Sequence, residues 1–193
     1  MQVRCNAPKN LPKRGKTEVK ILGLLRHAKS DWDDISKRDF DRGLNKRGRR
    51  GAALIGEHIR QHGIQWDLII ASPAERVQRT LESAMPDSPV TFDDRLYLAS
   101  VETIFECIAE HAGDAERILI VGHNPGLQEV LFELVAPANE NSLFDEAATK
   151  LPTAAYCVFE CEIDSWPELA NGCGELVHFA RPRDLDPELG PER

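Results

Sequence analysis

Three stretches of this chain are short, continuously apolar and cut off by a polar or titratable residue. Ile21-Leu22-Gly23-Leu24-Leu25 stops at Arg26-His27, Leu68-Ile69-Ile70-Ala71 stops at Ser72-Pro73, and Ile118-Leu119-Ile120-Val121-Gly122 stops at His123. Runs without polar alternation predict strands buried on both faces, as in a parallel sheet covered by helices. The intervening segments carry apolar residues at helical spacing: Ala52, Ile55 and Ile59; Val77, Leu81 and Ala84; Val101, Ile104 and Ile108; Leu127, Val130, Leu131 and Leu134. Asn45 is placed to cap the first of these helices, and Ser72-Pro73 to open the second. A short strand is predicted at 90–92 and two late strands at 154–162 and 175–180. Strands alternating with helices imply the α/β class: three layers, α/β/α, with a largely parallel central sheet.

No repeat or linker interrupts the pattern, so residues 19–180 are expected to form a single domain. Residues 1–18 are polar, with Pro8, Pro12 and Gly15, and read as a flexible arm. Residues 181–193 contain Pro182, Pro187 and Pro191 and read as a flexible tail. Pro137 to Lys150 reads as a polar loop or insertion. The 24 Lys and Arg stand against 32 Asp and Glu, a net charge of -8, so no global field favours nucleic acid or an anionic membrane. Neither partner is expected, and an anionic ligand has to be drawn by a local cluster of Arg and Lys. No apolar run approaches the roughly 20 residues of a membrane span. The basic start of the chain precedes an apolar run too short for a secretory signal. Five cysteines with no C-x-x-C give neither a disulfide framework nor a zinc site, and a reducing cytoplasm fits them. His58 and His62 have the spacing of a metal pair. A solvated helix face ending at Gly63 is the simpler reading, since no third ligand is suggested nearby.

The ends of the apolar runs carry the chemistry. In a parallel sheet the carboxyl ends of the strands share one edge, where such folds bind ligands. Arg26, His27, Arg76 and His123 are therefore expected to converge there. Two guanidiniums and two imidazoles around one crevice make an anion site, and the planar fork of Arg matches phosphate oxygens.

These residues resemble a known family, the histidine phosphatase (phosphoglycerate-mutase-like) superfamily. Leu25-Arg26-His27-Ala28 resembles its Arg-His-Gly signature, with Ala28 in place of Gly. Leu44-Asn45-x-x-Gly48 is similar to its Leu-Thr-x-x-Gly step. Ser72-Pro73-Ala74-Glu75-Arg76, continuing to Thr80, is similar to its Ser-Pro-x-x-Arg segment, and Val121-Gly122-His123-Asn124-Pro125 to its second-histidine segment. Lys150-Leu151-Pro152-Thr153-Ala154 is similar to a segment of the compact branch, the SixA-type phosphohistidine phosphatases. The resemblance spans about residues 19–180.

It implies a phosphoglycerate-mutase-like fold and a phosphatase that needs neither metal nor cofactor. His27 would be the nucleophile, Arg26 and Arg76 would hold the phosphoryl oxygens, and His123 would donate to them. By the same analogy Arg42 would sit at the rim. Asp33 stands where a phosphate-contacting Asn often sits, and Asn45 would join the substrate-binding residues. The family's acidic proton donor, usually found after the third strand, has no counterpart at Tyr97-Leu98; Asp94 and Glu102 are the nearest substitutes. The implied substrate is a phosphorylated protein, with phosphohistidine first. A small phosphoester, or a catalytically silent phosphate-binding module, are the alternatives. The oligomeric state is not implied.

Overall fold

Each apolar run becomes a strand of one sheet. In a computed structural model that describes residues 19–190, strand β1 spans Val19–Arg26, β2 Leu68–Ala71, β3 Thr91–Phe92 and β4 Arg117–Gly122. Two later strands, β5 at Tyr156–Glu162 and β6 at Gly174–Ala180, complete the order β3-β2-β4-β1-β5-β6. The pairs β2/β3, β2/β4 and β1/β4 are parallel, while β1/β5 and β5/β6 are antiparallel. The arm predicted at 1–18 lies outside the described residues.

Alternation along the strands divides the core in two. Leu22, Leu24, Ile118, Ile120, Cys157, Phe159 and Cys161 face one layer, and Leu25, Leu119, Val121, Tyr156 and Val158 face the other. Helices α1 (Lys46–His62) and α2 (Glu75–Ala84) cover the second face. Helices α3 (Val101–His111), α4 (Gly126–Leu134) and α5 (Ser142–Thr149) cover the first. Burial on both sides explains why these strands read as unbroken apolar runs. No helix among the described residues is long and apolar enough to cross a membrane.

Four expectations are corrected. The 137–150 segment is not a loop: a 3-10 turn at Pro137–Asn139 leads into α5, which Asn141 caps and whose Phe144 and Ala147 are buried. The tail is ordered as far as it is described. Helix α6 (Pro182–Leu185) and a 3-10 turn at Pro187–Leu189 lie against α1, with Arg47 donating to the carbonyls of Leu189 and Gly190 and Arg50 paired with Asp186 and Glu188. Helix α2 opens at Glu75 rather than at Pro73, with Ala74 as its non-helical N-cap at φ -60° and ψ 139°. Finally, the solvated face holds for His62, which is exposed, but His58 is half-buried. His178 of β6 meets them, its Nε2 2.8 Å from His58 Nε2 and its ring stacked on His62 at 4.1 Å.

Candidate active site

The carboxyl ends of β1, β2 and β4 lie side by side, with Arg26 paired to Gly122 and Ala71 to Val121. This register brings His27 and His123 together, their ring centroids 5.1 Å apart. Both are buried, at 7% and 4% exposure, as are Arg76 at 4% and the hydroxyl-bearing Ser72.

A mesh of hydrogen bonds sets the chain around His27. Ala154 N–H is shared between the carbonyls of Arg26 and His27, at 3.1 and 3.0 Å. Ala28 N–H donates to Thr80 Oγ1 (2.9 Å), and that hydroxyl donates in turn to Arg76 O (2.6 Å), tying the β1 turn to α2. Arg26 Nη1 donates to Leu151 O at 2.8 Å, and Asn124 Nδ2 reaches the same carbonyl at 3.1 Å. The 150–154 segment thus buttresses the ends of both β1 and β4.

The imidazoles are held neutral. His27 Nδ1–H donates to Ala28 O at 2.8 Å, which leaves the lone pair on Nε2. Burial lowers the His27 pKa to about 4, and the charges of Arg76 and Arg26 add to the effect. Burial, with the His27 and Arg76 charges, lowers His123 to about 3. His123 Nε2 is hydrogen-bonded to Ser72 Oγ at 2.8 Å, while its buried Nδ1 has no partner among the described residues. Arg26 is likewise lowered by burial and by the neighbouring Arg76 charge. Like charges crowded in a poorly hydrated crevice are relieved by an anion.

Arg76 presents its fork to the 3-10 turn at Asp39–Asp41. Its Nη1 donates to Asp39 O (2.6 Å) and its Nη2 to Asp39 Oδ2 (2.9 Å), and Tyr97 donates its hydroxyl to the same carboxylate oxygen (2.7 Å). The Tyr97 hydrogen bond and the Arg76 charge hold Asp39 below the usual carboxylate range. The Tyr97 ring stands edge-on to His123 at 5.4 Å.

Arg26, His27, Arg76 and His123 therefore share one crevice, as the run ends imply. The other expected substrate contacts take different places. Arg42 is buried and braces the 31–42 loop, donating to Asp34 O and Lys37 O and lying 4.4 Å over the Trp32 ring. Asp33 is exposed, and its N–H bonds Asp31 Oδ1. Asn45 caps α1, accepting from Gly48 N at 2.8 Å. None of the three is hydrogen-bonded to the crevice residues. Asp94 and Glu102, the proposed substitutes for the missing acid, are both exposed. Sequence reasoning missed Asp39 and the part played by Ser72. Asp39 is one of five acidic residues that lie with basic neighbours between 31 and 42, with no spacing to single it out.

The family model of the histidine phosphatase superfamily (branch 1) matches residues 22–97, the span from β1 to Tyr97. An uncharacterized protein of Mycobacterium tuberculosis is 31% identical over 160 residues, covering 82% of this chain and 100% of its own length. An uncharacterized chloroplastic protein of Arabidopsis thaliana is 32% identical over 162 residues, covering 76% and 69%. Among solved structures, a candidate phosphohistidine phosphatase SixA from Nakamurella multipartitia is 28% identical, with a TM-score of 0.76 over 87% of this chain and 99% of that one. Another SixA candidate, from Agrobacterium tumefaciens, is also 28% identical, with a TM-score of 0.67 over 84% and 98%. The likeness runs through the strand ends that build the crevice and through the compact outline of the whole chain, and it makes this protein a member of the histidine phosphatase superfamily, in its SixA-type branch.

Proposed function

We propose that the crevice hydrolyses a phosphoryl group carried on nitrogen, the phosphohistidine of a protein, through a covalent phosphohistidine at His27. The observation that carries this reading is the state of His27. Its Nδ1–H is fixed on Ala28 O and its pKa is about 4, so at neutral pH Nε2 offers a lone pair inside an Arg-lined site. In the first step the Nε2–P bond forms as the bond from phosphorus to the substrate nitrogen breaks. In the second, water attacks phosphorus, the Nε2–P bond breaks and inorganic phosphate leaves. Arg26 and Arg76 spread the charge of the transferring group, and the remaining work is positioning. A phosphoryl dianion entering beside His123 raises that imidazole's pKa and lets it hold a proton for the oxygens or the leaving group.

The choice of nitrogen over oxygen rests on the carboxylates. Asp39 is the one bonded to Arg76. Its lowered pKa leaves it ionised at neutral pH, with no proton to give. An alkoxide leaving group needs such a proton, whereas imidazole, titrating near 6.5, leaves with less help. One observation favours the small-phosphoester alternative: the Tyr97 hydroxyl, a proton-bearing group, sits on Asp39 with its ring edge-on to His123.

The test is kcat/KM for a phosphohistidine peptide, an aryl phosphate and a sugar phosphate under one set of conditions. The expected order is peptide, then aryl, then sugar phosphate, with about 10²–10⁴-fold between the extremes, the usual worth of general acid catalysis. Equal values for peptide and sugar phosphate establish the ester reading instead. No turnover of any of them makes the chain a phosphate-binding module. An acid-labile phosphoryl adduct trapped by rapid quench, and absent from His27→Ala, identifies the nucleophile.

A further inference from the structure

Ser72 follows β2 into the crevice, and the two transfer steps give it no task. The sheet register brings it there. Ala71 pairs with Val121, two residues before His123, and Ser72 N–H donates to Val121 O at 3.0 Å. The residue is fully buried, and its hydroxyl has two partners among the described residues. Its Oγ lies 2.8 Å from His123 Nε2 and 3.3 Å from the N–H of Ala74.

The Ala74 N–H can only donate, so it occupies a lone pair of Oγ. The hydroxyl proton remains, and among the described residues His123 Nε2 is the one acceptor it meets. Neutral His123 has two tautomers. With the proton on Nε2, Ser72 accepts twice, and both its own proton and the bare Nδ1 are left without partners in a buried site. With the proton on Nδ1, the Ser72 hydroxyl donates to Nε2 and Nδ1–H alone is left over. Unpartnered buried polar groups are costly, so the second arrangement is favoured. It agrees with the unpartnered Nδ1 of an imidazole that is only 4% exposed. Burial holds that imidazole neutral, with a pKa of about 3, so its tautomer decides what it offers to a ligand. The charges of Arg76 and Arg26 act on it as well, which makes a free N–H here suited to an anion.

We propose that Ser72 is a positioning residue that holds His123 in the Nδ1–H tautomer, so that a neutral imidazole donates to the phosphoryl oxygens at His27. The proposal rests on the reading of the crevice as a phosphoryl site and adds a residue and a protonation state to it. The two imidazoles then have opposite roles. His27 gives its Nδ1–H to Ala28 O and keeps the Nε2 lone pair for phosphorus. His123 accepts at Nε2 and keeps its Nδ1–H for the oxygens. The imidazolium that a bound dianion favours retains this Nδ1–H, with Ser72 then accepting from Nε2.

The experiment reads the tautomer directly. Nitrogen NMR is recorded at neutral pH on protein labelled at histidine, and the His123 signals are identified among the six histidines by their loss in His123→Gln. A protonated, pyrrole-type Nδ1 and a bare, pyridine-type Nε2 are expected. Inorganic phosphate is expected to shift the Nδ1–H signal and slow its exchange with water. Ser72→Ala is expected to give a mixture of the two tautomers and to lower kcat for an aryl phosphate with little change in KM. The loss should be about 10²-fold, the low end for one preorganised donor, because part of the population keeps the right tautomer. Ser72→Thr keeps the hydroxyl and is expected to restore the tautomer and much of kcat. Should Ser72→Ala fail to fold, Ser72→Cys fills the same space with a weaker donor and is expected to show the same changes, smaller. A proton on Nε2 in the wild type overturns the proposal. So does a folded Ser72→Ala or Ser72→Cys with an unchanged tautomer, or one whose tautomer changes while kcat does not. An Nδ1–H that responds to phosphate in a protein without turnover keeps the tautomer assignment and removes the phosphatase reading, so the two failures are distinct.

Discussion

Arg76 enters the crevice with its fork already occupied. Both terminal nitrogens donate to Asp39, one to the carbonyl and one to the carboxylate, so a phosphoryl group has to compete with that carboxylate and with its negative charge. Asp39→Asn is therefore expected to lower KM for an aryl phosphate several-fold at low ionic strength, with little change in kcat. A higher KM would mean that the carboxylate orients the fork instead of guarding it. Arg76→Ala is expected to keep the fold and lose about 10²–10³ in kcat, the usual worth of one preorganised donor. Arg76→Lys recovers only part of this, because an ammonium cannot serve two oxygens at once. For His27 the free-enzyme pKa of about 4 sets the acid limb of kcat/KM. The nucleophilic form persists above that value, so activity corrected for the substrate's own ionisation falls as pH drops through about 4. A limb near 6.5 would show an imidazole that is not desolvated.

The elements meet through a few buried polar groups, and Thr80 is the clearest. It is fully buried on α2, accepts from Ala28 N–H and donates to Arg76 O. One hydroxyl thus couples the turn that carries His27 to the helix that carries Arg76. Thr80→Val keeps the shape but leaves the Ala28 N–H without a partner, at a cost of about 1–3 kcal/mol. Urea denaturation is expected to show that loss, and kcat to fall with it. A destabilised variant with unchanged kcat would mean that the two catalytic groups are aligned independently. Helix α4 depends in the same way on Gly126, where a Cβ would collide with the Ala99 carbonyl, so Gly126→Ala is expected to displace the His123 turn and cut activity.

Protonation links the site to the stability of the entire fold. His27 at about 4, His123 at about 3 and His178 at about 4 all lie below the ordinary value, each chiefly through burial. In the unfolded chain these imidazoles titrate near 6.5. Between about 6.5 and 4 the unfolded state therefore binds more protons than the folded one, and stability rises with pH across that window. The histidine contribution is complete above about 6.5, declines as pH falls toward 4 and is exhausted near 3. Carboxylates held low by hydrogen bonds and ion pairs, Asp39 and Asp67 among them, are protonated below that range and add to acid unfolding there. Thermal denaturation between pH 7 and 4 is expected to show a falling Tm, with a shallower slope in His178→Gln. An unchanged slope would take the outer histidine cluster out of the linkage.

Much of this protein was legible from local pattern. An apolar run that stops at Arg26-His27 or at His123 names both a buried strand and the residue at its carboxyl end, because burial on two faces and the direction of a parallel sheet are properties of the backbone. Arg76 followed because it lies at the start of the helix after β2. The capping role of Asn45 was equally local. Asn141, standing before Ser142-Leu143-Phe144, carried the same kind of signal for α5, and a reading of 137–150 by polarity alone passed over it. Asp39 and Tyr97 were beyond such reasoning: the bonds that bring them to Arg76 and to each other cross 37 and 58 residues. The same holds for the ordering of the tail, which Arg47 and Arg50 secure across 142 and 138 residues, and for His178, which reaches His58 across 120. Strand and helix periods repeat every few residues and write themselves into the chain, but the partner of a charged loop side chain is chosen only when distant segments pack, and that choice decided which carboxylate faces the Arg76 fork.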